Sequence, residues 1–271
     1  MILLVDAGNS RIKWSLLYKG GRSEQSAQDY TQHAADIILQ RLIQKNLEQS
    51  SSEKKITRIL LVSVLGADFS HKVEQHCQNL KIKLQIVRST AKAYGVINAY
   101  DDAMLLGADR FVGLVAAHHL RANYHCIIVS CGTAITIDAI TATGQHLGGL
   151  ILPGLQSFSE NLIKKSALLK TPNSARTTLF ATNTADAITS GSIYGLVEAI
   201  NGISSRMKGK LLETKCLGET TKKMTSVQII LCGGDAKLMH HYLSDSTQRE
   251  DDWLMQGLQL IAEFTFPSLK K

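Results

Sequence analysis

The 271-residue chain has no apolar run long enough to cross a membrane. Its hydrophobic residues come in runs of about 4–8, where a spanning helix needs roughly 20 in a row. Neither a basic segment nor a small-residue cleavage site flanks the first apolar run, residues 2–5, so no leader is expected and a cytoplasmic location is the reading. There is no Cys-x-x-Cys pair: the five cysteines, Cys77, Cys126, Cys131, Cys216 and Cys232, form an odd set, and Cys126 and Cys232 lie in strand-like apolar runs. They read as buried free thiols in a reducing compartment, which argues against a zinc site. The net charge of +7 permits attraction to anions. The basic residues, however, come as scattered pairs (Lys54-Lys55, Lys164-Lys165, Lys222-Lys223, Lys270-Lys271) without a stripe or interleaved aromatics, so neither nucleic acid nor a membrane is an expected partner. Adjacent histidines, His118-His119 and His240-His241, do not converge on a helix and suit no metal. Also missing are Gly-x-x-x-x-Gly-Lys-Ser/Thr and Gly-x-Gly-x-x-Gly, so a phosphate site has to come from other turns.

What is present is an alternation of strands and helices. Residues 2–5 and 11–18 read as two strands around a turn at 6–10, followed by helix 34–47, strand 59–64, helix 68–80 and a helix with Phe111, Leu114, Val115 and His118 on one face. The pattern then restarts: strand 126–130, turn 131–133, strands 134–139 and 146–152, helices 154–165 and 186–208, strand 227–232, a Gly-Gly turn, and helices 236–243 and 251–264. Residues 209–226 lack a period and read as a loop. In both halves a Val/Ile-rich strand meets a short Gly turn and a second strand follows at once, which suggests a duplicated unit. The expected division is 1–122 and 123–271, two α/β domains.

Four turns carry chemistry. In Asp6-Ala7-Gly8-Asn9-Ser10-Arg11-Ile12-Lys13 a tight Gly turn lets backbone N–H groups approach an anion, Asn9 and Ser10 add neutral donors and Lys13 adds charge, while Asp6 can hold hydrated Mg²⁺. The same composition also makes an ordinary turn. Gly132-Thr133, placed after the first strand of the second half, occupies the equivalent position, and two such turns facing each other would clamp a polyphosphate. Gly233-Gly234 is a strand-to-helix turn open to flat contact with a nucleotide, or simply a helix entry. Gly107-Ala108-Asp109-Arg110 opens a helix, whose N-terminus keeps Asp109 ionised and able to accept a hydroxyl proton, while Arg110 offers a planar fork for carboxylate or phosphate. Asp109 could equally be a helix-capping acid. Asp138, on a strand with the opposite phase, reads as structural.

The turn Asp6-x-Gly-Asn-Ser10, Tyr100 followed by Gly107-Ala-Asp-Arg110, Gly132-Thr-Ala-x-Thr136-x-Asp138, Gly148-Gly-x-Ile-x-Pro-Gly154, Asn183-Thr184 and Gly233-Gly234 occur in that order. Together they resemble the type III pantothenate kinase family, over the chain up to about residue 240. The resemblance implies duplicated ribonuclease-H-like domains of the actin-like ATPase fold with a cleft between them, and ATP-dependent phosphorylation of pantothenate to 4′-phosphopantothenate, the first step of coenzyme A synthesis. It assigns residues 6–13 and Thr133 to ATP phosphates and Mg²⁺, Tyr100, Gly107, Ala108, Asp109, Arg110 and Thr184 to pantothenate, and Asp109 to proton acceptance. It also implies a homodimer with the Thr184 helix near the interface. The family usually has Asp two residues before the Gly-Thr of the second turn, tied to an activating monovalent cation, K⁺ or NH₄⁺; here that position is Ser130, a weaker neutral ligand. Two other functions remain: a kinase of the same fold for another small acceptor, or a non-catalytic regulatory, transcription-accessory protein.

Overall fold

The computed structural model describes residues 1–30, 34–49, 55–164, 176–213, 226–244 and 246–267. In chain order its first elements are β1 (Ile2–Ala7), β2 (Arg11–Tyr18), β3 (Gly21–Arg22), β4 (Ser26–Asp29), α1 (Ala35–Gln49), β5 (Arg58–Ser63), α2 (Ala67–Asn79) and β6 (Lys83–Ile86). A small hairpin, β7 (Lys92–Ala93) and β8 (Val96–Ile97), a 3-10 turn at Ala103–Leu105 and α3 (Ala108–Leu120) follow. Next come β9 (His125–Cys131), β10 (Ala134–Ile140), β11 (His146–Pro153), α4 (Leu155–Lys164), α5 (Thr184–Glu213), β12 (Val227–Cys232), α6 (Ala236–His240), β13 (Thr247–Arg249) and α7 (Trp253–Thr265).

Two compact units result, Met1–His119 with Asp252–Lys271, and Leu120–Asp251. The main sheet of the first runs β3-β2-β1-β5-β6, with β4 also on β2; that of the second runs β11-β10-β9-β12-β13. In each, the first three strands of this order pair antiparallel and the last two join in parallel. The duplication suggested by the strand–turn–strand pattern is therefore a repeat of topology: β1, β2, β3, β5 and β6 correspond to β9, β10, β11, β12 and β13. This is the ribonuclease-H-like layout.

The central strands are mostly apolar because both faces are covered, with Asp6 in β1 and Ser130 in β9 as polar exceptions near their C-terminal ends. β1 is buried along its whole length, and β9 at every residue but Ser130. In the first unit Leu3, Val5, Leu39, Ile43, Ile59 and Leu61 share a core with Val73 and Cys77 of α2. In the second, Ile127, Val129, Ile135 and Ile137 pack with Leu196, Val197 and Ile200 of α5. Cys77, Cys126, Cys131 and Cys232 are buried thiols, as expected; burial pushes those of Cys77 and Cys126 up to about 11 and about 12. Cys216 lies outside the described residues.

Three expectations are corrected. Residues 252–271, assigned by chain order to the second half, belong to the first unit. The apolar face of α7, with Met255, Leu258, Ile261 and Ala262 buried, packs on β1, β2 and β5, and Trp253 Nε1 donates to the Gly113 carbonyl of α3 at 3.2 Å. Next, α5 begins at Thr184, two residues before the expected start, because Asn183 caps it: Asn183 Oδ1 accepts the Asp186 N–H at 2.9 Å and its amide donates back to Asp186 Oδ2 at 2.8 Å. Finally, α5 runs on to Glu213 through Gly209, where a loop was expected; the rest of that stretch, 214–225, lies outside the described residues.

Candidate functional site

In the first unit the phosphate-type corner is a hairpin between β1 and β2. Gly8 N–H donates to Arg11 C=O at 3.0 Å, closing a four-residue turn with Asn9 and Ser10 exposed at its tip. Asp6 and Lys13 are directly opposite in the antiparallel register, so their side chains share one face. Ala7 and Ile12, the next pair, are buried and can offer a ligand only backbone. Arg11 forms a two-pronged ion pair with Asp29 of β4. Tyr30 braces the corner, its N–H donating to Ser10 C=O at 3.0 Å and its hydroxyl to Gly8 C=O. Burial holds that phenol up at about 12, so it stays a donor.

Asp6 is the corner's electrostatic centre. Its carboxyl is 7% exposed, and burial pushes it up to about 7, with Lys13 pulling it down and Asp109 adding to the rise. Asp109 thus lies within electrostatic reach of the corner, although about a hundred residues separate the two in sequence. It sits in the first turn of α3, where the Gly107 carbonyl accepts the Phe111 N–H at 3.0 Å and Asp109 Oδ1 accepts the Arg110 N–H at 2.8 Å. The Asp109 carboxylate folds back over Gly107, so that a Cβ there would stand 2.7 Å from Asp109 Oδ1 and displace it. Arg110 is buried, donates from its guanidinium to Tyr100 Oη at 2.7 Å and lies 5.5 Å from that ring's centroid. The first unit therefore places a carboxylate at a helix start, an arginine fork and a phenol beside one another.

In the second unit the corner between β9 and β10 closes with Gly132 N–H donating to Ala134 C=O at 3.1 Å. Ser130 corresponds to Asp6, and its partner in register is Thr136 where the first unit has Lys13. One corner carries an acid–base pair and the other a neutral hydroxyl pair. Two further backbones converge here: Gly154 N–H donates to Thr133 C=O at 3.1 Å, and Asp235 N–H donates to Cys131 C=O at 3.0 Å. Gly233, at φ +103°, approaches Cys131 so closely that a Cβ would overlap its carbonyl. Thr133, Gly132, Gly233 and Gly234 thus form one end of the sheet, with the Thr133 side chain exposed. Thr184 is elsewhere in this unit, exposed at the start of α5 in an open recess of about 540 Å³ with Leu162, Asn183 and Ile188. Asp138 pairs with buried His146 at 3.1 Å.

Three contributors carry no motif and were missed: Tyr30, Ser89 and Asn98. Only Asn98 had a local signal, as an Asn two residues before Tyr100, whose N–H its Oδ1 accepts at 3.0 Å.

Among known proteins, the family model for type III pantothenate kinase matches residues 2–206. Curated type III pantothenate kinases from Nitrosococcus oceani (33% identical, 98% of this chain and 95% of that one) and Herminiimonas arsenicoxydans (34% identical, 99% and 100%) are similar from end to end. Among solved structures, a protein described as a Baf family transcriptional activator from Campylobacter jejuni has a TM-score of 0.56 at 21% identity, covering 98% of this chain and 99% of its own. One described as a 2-dehydro-3-deoxygalactonokinase from Sinorhizobium meliloti has 0.56 at 14% identity, covering 98% and 100%. At those identities the likeness is one of fold, that of the actin-like ATPases and sugar kinases.

Proposed function

The chain belongs to the type III pantothenate kinase family, and on that premise we propose that it transfers the terminal phosphoryl group of ATP to the primary hydroxyl of pantothenate, the first step of coenzyme A synthesis. The observations that support this reading are the Asp6–Lys13 face of the glycine hairpin and, in the same unit, the group of Asp109, Arg110 and Tyr100 at the start of α3. Phosphoryl transfer through a loose transition state asks for positioning and charge neutralisation more than for a strong base. Asp109 orients the hydroxyl and takes its proton, and Lys13 balances phosphate charge. Arg110, hydrogen-bonded to Tyr100 Oη, anchors the pantothenate carboxylate or a hydroxyl. By the family pattern residues 6–13 and Thr133 are assigned to the phosphates and Gly233-Gly234 to the nucleoside, while the Gly8 and Gly132 N–H groups close their own turns. Thr184 is assigned to pantothenate, by the family pattern.

Asp6 fits Mg²⁺ held through water: it is a hard oxygen donor whose ionised form burial disfavours until a cation relieves it. When bound, Mg²⁺ supplies neutralisation of phosphate charge. Ser130 is assigned to the monovalent cation, K⁺ or NH₄⁺, as a neutral hydroxyl donor. The chain works as a cytoplasmic homodimer in this reading. Exposed apolar side chains on the second unit support the dimer, with Ile151 at 63%, Leu179 at 73% and Phe180 at 89% exposure. No helix among the described residues is long and apolar enough to cross a membrane.

The deciding experiment is coupled ADP release with pantothenate, with and without K⁺ or NH₄⁺, alongside a panel of other acceptors. Faster turnover of a hexose or acetate would replace the substrate assignment, and no ADP with any acceptor would favour a non-catalytic role. Asp109→Asn is expected to lower kcat by about 100- to 10,000-fold while nucleotide binding persists; near-normal kcat would remove Asp109 from its role.

A further inference from the structure

The segment between β6 and the β7–β8 hairpin carries Ser89, which is 3% exposed and part of no motif described above. Its hydroxyl donates to the Leu106 carbonyl at 2.7 Å and lies 3.4 Å from the Gly107 carbonyl. One proton serves one acceptor well, so the short contact is the bond. These peptides lead directly into α3. Gly107 C=O begins the helix's own hydrogen-bond ladder, and Leu106 C=O lies one residue before it, so Ser89 extends the anchoring of α3 by one peptide. The other end of the tether is the sheet: Val87 N–H, two residues before Ser89, donates to Leu61 C=O of β5 at 2.7 Å. The lever is short, because the Asp109 carboxylate folds back over this same peptide, as the 2.7 Å approach to a Gly107 Cβ shows.

We propose that Ser89 is a positioning residue for Asp109: it ties the start of α3 to the central sheet and so sets where the carboxylate meets the acceptor hydroxyl. The proposal rests on the kinase reading above. It separates two supports of the acceptor region. Asn98 holds Tyr100 through its N–H and the Ala103 carbonyl through its amide at 3.1 Å, so its loss acts on the binding side. Ser89 acts on the chemical step.

The test uses the full-length Ser89→Ala, Ser89→Thr, nearly isosteric Ser89→Cys and Asn98→Ala variants, each checked for folding by circular dichroism and melting. Ser89→Ala is expected to lower kcat about 10- to 100-fold with the KM for ATP unchanged, since a misplacement of about 1 Å costs that order. Ser89→Thr retains most activity, Ser89→Cys falls between, and Asn98→Ala raises the KM for pantothenate more than it lowers kcat. In an Asp109→Asn background, Ser89→Ala costs little further. Unchanged kcat in Ser89→Ala, or an equal loss in both backgrounds, overturns the proposal. Amide hydrogen exchange at residues 107–111 is read on the same proteins without substrate. Faster exchange in Ser89→Ala supports the tether and unchanged exchange overturns it, even if the wild-type protein fails to phosphorylate pantothenate and the kinase reading falls.

Discussion

Replacing Asp6 by Asn should make the first unit more stable at neutral and alkaline pH, even as it removes the proposed Mg²⁺ ligand. Burial pushes the Asp6 carboxyl from 3.8 up to about 7, so the folded protein holds this proton over a range in which the unfolded chain has released it. Stability from this group is therefore intact below pH 3.8, declines as the pH rises, and is lost above about 7. The gap between 3.8 and about 7, at about 1.4 kcal/mol per pH unit, sets a ceiling of about 4 kcal/mol. Asn has the same shape and no charge to bury, so the variant should gain stability over wild type progressively across that window and level off above it. The two tryptophans, Trp14 and Trp253, both lie in the first unit, so their fluorescence follows the unfolding of the part that holds Asp6. Urea titrations of both proteins at a series of pH values, with chelator and without nucleotide, give the difference directly, and groups common to both cancel. A difference that does not change with pH, or an Asn variant less stable than wild type at pH 8, would refute the argument. Adding Mg²⁺ and ATP should narrow the gap in favour of wild type, because a cation stabilises the ionised carboxyl.

Three other outcomes are expected. Arg110→Lys loses the guanidinium fork that donates to Tyr100 Oη and should raise the KM for pantothenate at least about tenfold while leaving that for ATP unchanged, as read by steady-state kinetics. Gly257→Ala places a Cβ 2.6 Å from the Val112 carbonyl, so α7 must shift off α3 at a cost of about 1–3 kcal/mol in urea unfolding followed by tryptophan fluorescence. Ser130→Asp puts a carboxylate in the position corresponding to Asp6, and should increase the ratio of activity with K⁺ to activity without it.

The central strands, the Gly corners and the repeat were legible in the sequence because each depends on neighbours within a few residues, whereas the short edge strands β3, β4, β6 and β13 were not. Apolar runs mark central strands, a turn closes on itself, and a helix start shows as Gly-Ala-Asp-Arg. The face shared by Asp6 and Lys13 follows from the same local logic, since a four-residue turn sets the hairpin register. Only the tertiary structure decided which distant pieces meet. It returned α7 to the first sheet, engaged Arg11 with Asp29 and brought the Ser89 hydroxyl to the Leu106 carbonyl. Such partners leave no periodicity to read: a buried hydroxyl or amide is chosen for one carbonyl or N–H that chain folding brings beside it, and nothing in its own neighbourhood announces which one.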